Sequence, residues 1–182
     1  MQRLRPVQQF AKECHRGRWS VSDFPSRIGA RVVVDQNATG GHILGMACRS
    51  DRGAVIGLDE RIFGTRLYVP VLAHEVSHLL LGGSGTFQCS STAVCGSSEQ
   101  DAWFGAAMLA VSARLLRRID RGTMSPMDIA ARCSVPLEMV NLAWAVHAAL
   151  DDHLAVSVHA AHVALTLWED WLDRATHAPL II

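Results

Sequence analysis

The sequence predicts an α+β fold, a helix-rich single domain with a small β-sheet. Three observations carry that reading. The 182 residues suffice for one well-packed core but not comfortably for two. β-Branched runs bounded by turn residues are confined to residues 30–60. Alanine- and leucine-rich segments with helical spacing fill most of the second half. Within this unit, residues 1–123 read as the core and residues 124–182 as a helical C-terminal extension packed on it.

In chain order, Leu4, Val7, Phe10, Ala11 and Cys14 recur at helical spacing and stop near Gly17, which predicts a first helix. "ARVVVDQ", "HILGMAC" and "AVIGLDE" follow as three short strands, and the turn-forming "RSDRG" makes the last two a hairpin. Pro70 suits the first turn of a helix through "VPVLAHEVSHLLL", where its missing N–H is not needed, and Gly82 and Gly83 end that helix. Residues 82–98 are rich in glycine and serine without a sustained period and read as a loop. From Glu99, "EQDAWFGAAMLAVSARLLRRI" predicts one long helix. "SPMDIAARCSVPLEMVNLAWAVHAAL" adds two more, each opened by a serine and proline pattern, and a last helix runs from about Asp152 to Thr176.

The stretch of residues 71–83 carries the chemistry. One helical turn separates His74 from His78, so both imidazoles can point at one ion, while Glu75 falls about a quarter-turn away. Its carboxylate then stands beside the ion without binding it, placed to move a proton. Zinc takes such a set when two histidines are joined by an oxygen ligand and one position stays open. Three adjacent titratable groups in an otherwise apolar segment are costly to bury without a compensating ion. A continuation HExxHxxGxxH is excluded by Leu81 and Ser84. The third ligand is therefore sought at the start of the next long helix, where Glu99 is favoured for its longer reach and Asp101 is the alternative.

With these residues in place, the chain resembles the ImmA/IrrE family of zinc metallo-endopeptidases over most of its length. "PSRIGARVVV" is similar to that family's segment ending in a short strand. "GAVIGLDERIFGTRLYVPVLAHEVSHLLLG" resembles its strand, linker and HExxH helix, and "EQDAWFGAAML" its glutamate-bearing helix. Glu99 and Ala102 fit the family's E-x-x-A-(D/N)-x-F-A pattern; Trp103 stands where that pattern has a polar residue, and Ser77 where a glycine is common. The resemblance implies a gluzincin-like mini-peptidase with Zn2+ held by His74, His78 and Glu99 and with Glu75 catalytic. It also implies a protein substrate, a helix-turn-helix transcriptional repressor whose cleavage relieves repression. The alternative is a non-catalytic metal-containing binding module that sequesters a regulatory partner.

Composition bounds the other classes. Seventeen basic residues balance seventeen acidic ones, so no net field draws the chain to nucleic acid or an anionic membrane; any such binding would need a local patch, and no direct nucleic-acid contact is expected. The charged first twenty residues lack the apolar run of a signal peptide, which predicts a cytoplasmic protein. Residues 136–150, at the place of a recognition helix, contain no Lys or Arg, which favours packing over DNA reading. Arg114, Arg117, Arg118 and Arg121 read as a solvated face or a partner patch. Cys89 and Cys95 flank the predicted loop as a possible redox pair, with plain thiols favoured. His159 and His162 have no acidic neighbour to complete a second metal site. Tyr68 and His42 are the evident candidates for oxyanion stabilisation.

Overall fold

In the computed structural model, residues 2–34, 43–82, 85–90, 96–152 and 155–177 are described. The N-terminal helix α1 (Arg5–Gly17) turns Val7, Ala11 and Cys14 inward at helical spacing. A one-turn helix α2 (Phe24–Arg27) buries Phe24, whose ring meets Phe10 of α1 edge-on at 5.6 Å. Strands β1 (Ala30–Val34), β2 (Ile43–Ser50) and β3 (Gly53–Leu58) then form, as their β-branched runs dictate. β2 and β3 make the expected hairpin, with Ser50 opposite Gly53, and β1 lies parallel to β3.

Helix α3 (Tyr68–Leu80) packs on this sheet against β2 and β3. Every residue from Pro70 to Leu79 is buried, so the helix is core on all sides. The predicted loop after it contains a fourth strand, β4 (Gly85–Ser90), paired antiparallel with β2, giving the order β1-β3-β2-β4. Its stability comes from the ladder with β2, which a glycine- and serine-rich composition conceals.

Helix α4 (Gly96–Ala110) runs against α3. The two approach closely because small residues meet. A Cβ built on Gly105 would lie 2.6 Å from Ser77 Oγ and 2.9 Å from Ser77 Cβ. The helix predicted from Glu99 is not continuous, however. It breaks at Ser112, whose hydroxyl accepts from Leu115 N and opens α5 (Ala113–Asp120). The end of α4 is held from two sides, since His15 Nε2 donates to Met108 O at 3.0 Å and His147 Nε2 to Val111 O at 3.2 Å. Carbonyls that lose their helical partners are thereby satisfied.

Helix α6 (Pro126–Cys133), opened by a Ser125–Asp128 capping box, meets α7 (Leu137–Asp152) at 106°. That is a helix-turn-helix angle. Met139, Val140, Leu142, Ala143 and Val146 of α7 are nevertheless buried, and α7 packs on α4. α8 (Ala155–His177), the last described element, lies against α7. One hydrophobic cluster runs from Leu4 to Leu172 and joins the last three helices to the rest. Among the described residues, no single helix is long and apolar enough to cross a membrane.

The two capping histidines make stability depend on pH. Burial lowers both pKa values from the ordinary histidine value of 6.5, and the carbonyl bonds only partly oppose it. A folded pKa below the unfolded one means that this stability is complete above 6.5 and is lost as pH falls toward the folded values. Thermal melts from about pH 7.5 to about pH 5.5 should therefore show a steeper loss for the native chain than for His15→Gln, which keeps a donor near Nε2 but does not titrate. Equal slopes would show that His15 contributes nothing to the pH dependence.

Candidate metal centre

His74, Glu75 and His78 come from α3 and Glu99 from the first turn of α4. The close α3–α4 approach at Ser77 and Gly105 lets the Glu99 carboxylate reach both imidazoles. His74 Nε2 lies 3.1 Å from Glu99 Oε2, and His78 Nε2 lies 3.2 Å from Glu99 Oε1. The two Nε2 atoms are 3.0 Å apart. Around a tetrahedral ion with bonds of roughly 2.0–2.1 Å, ligand atoms stand roughly 3.3 Å from one another. The three side chains thus already approximate one face of such a tetrahedron, and the cluster can hold a metal ion.

Protonation favours the same conclusion. Burial is the main influence on His74 and pushes its pKa down, with Glu99 opposing. Burial alone would raise Glu99, but its hydrogen bonds to His74 and His78 and their charges outweigh that and hold it low. A neutral imidazole and an ionised carboxylate are the forms that bind a cation.

Glu75 is different. It is fully buried, and neither carboxyl oxygen has a hydrogen-bond partner among the described residues. Desolvation first, then the charge of Glu99, raises its pKa well above the ordinary carboxylate range. Gly45 of β2 makes room for it, because a Cβ there would lie 2.8 Å from Val71 Cγ1 and 2.9 Å from Glu75 Oε1. An unpaired buried carboxyl next to a cation site marks a functional position more than a stabilising one.

The imidazole of His74 is fixed by packing. Its Nδ1 is buried without a partner among the described residues, where a metal-binding histidine usually donates to a second group. Trp103 instead tilts over the ring at a centroid distance of 4.0 Å. Trp168 of α8 meets Trp103 at 5.2 Å, so the last helix backs the centre. Trp103 stands four residues after Glu99, on the same face of α4, and that spacing was the available signal for it. Gly45 gave no such signal.

Asp101 stands two positions after Glu99, about 200° around α4, and is not part of the cluster. Tyr68 opens α3 and packs edge-on against Phe63 at 5.2 Å. His162 is exposed and lies edge-on to Phe104. His42 and Cys95 fall outside the described residues, as does the side chain of Cys89 on β4. No family model matches the chain, and no curated protein matches it. The functional reading therefore stands on the residues themselves.

Proposed function

We propose that the chain is a zinc-dependent endopeptidase. The observation that carries this reading is the convergence of His74 Nε2, His78 Nε2 and a Glu99 oxygen, all within 4.8 Å, beside a Glu75 carboxyl that is unpartnered among the described residues. Two imidazoles and one carboxylate form the open three-ligand set of catalytic zinc sites. Zinc, when bound, supplies a Lewis acid that polarises the scissile carbonyl and acidifies water. His74, His78 and Glu99 would hold it. Glu75, as its carboxylate, would accept the proton of the attacking water at a carboxyl oxygen and deliver it to the leaving amine. Trp103 covers one face of His74, limiting ring rotation and water access.

The order of strand, HExxH helix and glutamate-bearing helix supports the ImmA/IrrE resemblance, and with it a helix-turn-helix transcriptional repressor as substrate. One observation favours a second reading. Glu75 is fully buried, which suits a metal-containing module that binds a regulatory partner without turnover.

Incubation of the untagged protein with a candidate helix-turn-helix repressor separates the two. Cleavage that a chelator removes and added zinc restores is expected. Zinc-independent cleavage would overturn the mechanism, and zinc-loaded protein that binds the repressor but leaves it intact would establish the binding module.

A further inference from the structure

The far end of α4 carries a second feature that the metal centre does not use. Three adjoining depressions meet at Arg117, the two larger enclosing about 610 and 530 Å³. Arg114, Arg118 and Arg121 of α5 line the first with it. Lys12, Arg16 and Arg18, from α1 and its end, line the second. Seven of the chain's seventeen Lys and Arg residues thus face these depressions, against two of its seventeen acids, Asp120 and Asp151. All seven are exposed, and among the described residues none forms an ion pair.

A neutral chain that gathers its cations in one concavity focuses a positive field there and attracts a polyanion. The third depression identifies which one. Trp144 of α7 lines it beside Arg117 and is 41% exposed, although α7 is otherwise largely core. Arginines that track phosphates beside an aromatic face on which a base can stack are the elements of single-strand recognition. An acidic peptide would use the arginines and leave the indole idle. A duplex would need an element that enters a groove, and these residues line a hollow.

We propose that this cleft binds single-stranded nucleic acid, with phosphates on Arg114 and Arg117 and a base on Trp144. The site is remote from the metal centre. Glu99 and Val111 are separated by twelve residues, about 18 Å along α4 and the turn that ends it. The proposal is independent of peptidase activity, and its test reads binding alone.

Fluorescence anisotropy with a labelled oligothymidylate of about 12 nucleotides measures it. Binding should weaken with salt, its logarithmic slope being about −0.7 per phosphate neutralised. The double variant Arg114→Glu/Arg117→Glu should lose at least about 100-fold in affinity and most of that slope. Trp144→Ala should weaken binding by about 5- to 150-fold and leave the slope unchanged. These side chains are exposed, so unchanged thermal melting is the folding control; if the charge reversal lowers it, Arg114→Gln/Arg117→Gln replaces it.

No salt-dependent binding overturns the proposal, as does full affinity in the arginine variant. Preference for a duplex of the same length, or equal displacement by polyglutamate, also overturns it, because the cleft would then read charge without bases.

Discussion

Glu75→Gln is expected to bind zinc as the native chain does and to lose repressor cleavage by about 10²- to 10⁴-fold. The substitution preserves shape. Glutamine matches glutamate in size and fits the space that Gly45 leaves. It contributes no ligand to the cluster, which consists of His74, His78 and Glu99. What disappears is a buried group beside the cluster that can take up a proton and release it. The native carboxyl is fully buried and unpartnered among the described residues, with the Glu99 charge nearby. Removing its ionisation should therefore leave the melting temperature unchanged or raise it slightly. Zinc content by elemental analysis, repressor cleavage and a thermal melt on one preparation separate the effects. Full cleavage by the variant would remove Glu75 from the mechanism, and lost zinc would make it a ligand.

Much of this centre was legible because it is local. His74, Glu75 and His78 lie within one helical turn, Pro70 sits in the first turn of the helix and Gly82 follows its end. A helix in which ten consecutive residues, Pro70 to Leu79, are buried is also plain from its apolar run. The next step was less visible. Choosing Glu99 over Asp101 depends on the phase of α4, and reaching His74 depends on Ser77 meeting Gly105, a contact between residues far apart in sequence.

Elsewhere, tertiary contacts overrode local preference. Alanine and leucine propensity carries a helix through residue 111, but the chain breaks there under caps from His15 and His147, whose partners are 93 and 36 positions away. β4 exists through its ladder with β2 and has little signal of its own. The arginines of α5 were readable as a run. Their convergence with Lys12, Arg16, Arg18 and Trp144 arises only when α1, α5 and α7 assemble.

Glu99→Ala is expected to weaken zinc binding by more than the roughly 10- to 100-fold that changes behind a ligand cause, and to abolish cleavage with it. Glu99 supplies an oxygen within 3.2 Å of each imidazole Nε2, so its loss leaves two imidazole ligands and no carboxylate ligand for a dication. Glu99→Asp tests reach. Its side chain is one methylene shorter, and an intermediate loss would show that the distance from α4 to α3 is matched to glutamate. Asp101→Ala should retain zinc, because residue 101 lies on another face of α4. Folding should survive in all three variants, since Glu99 is half-buried and its hydrogen bonds go to the two histidines alone among the described residues. Zinc per protomer, measured after equal dialysis, decides the assignment. Full zinc in Glu99→Ala with loss in Asp101→Ala would transfer the third ligand to Asp101. It would also require α4 to rotate by about half a turn from the phase that places Glu99 between His74 and His78.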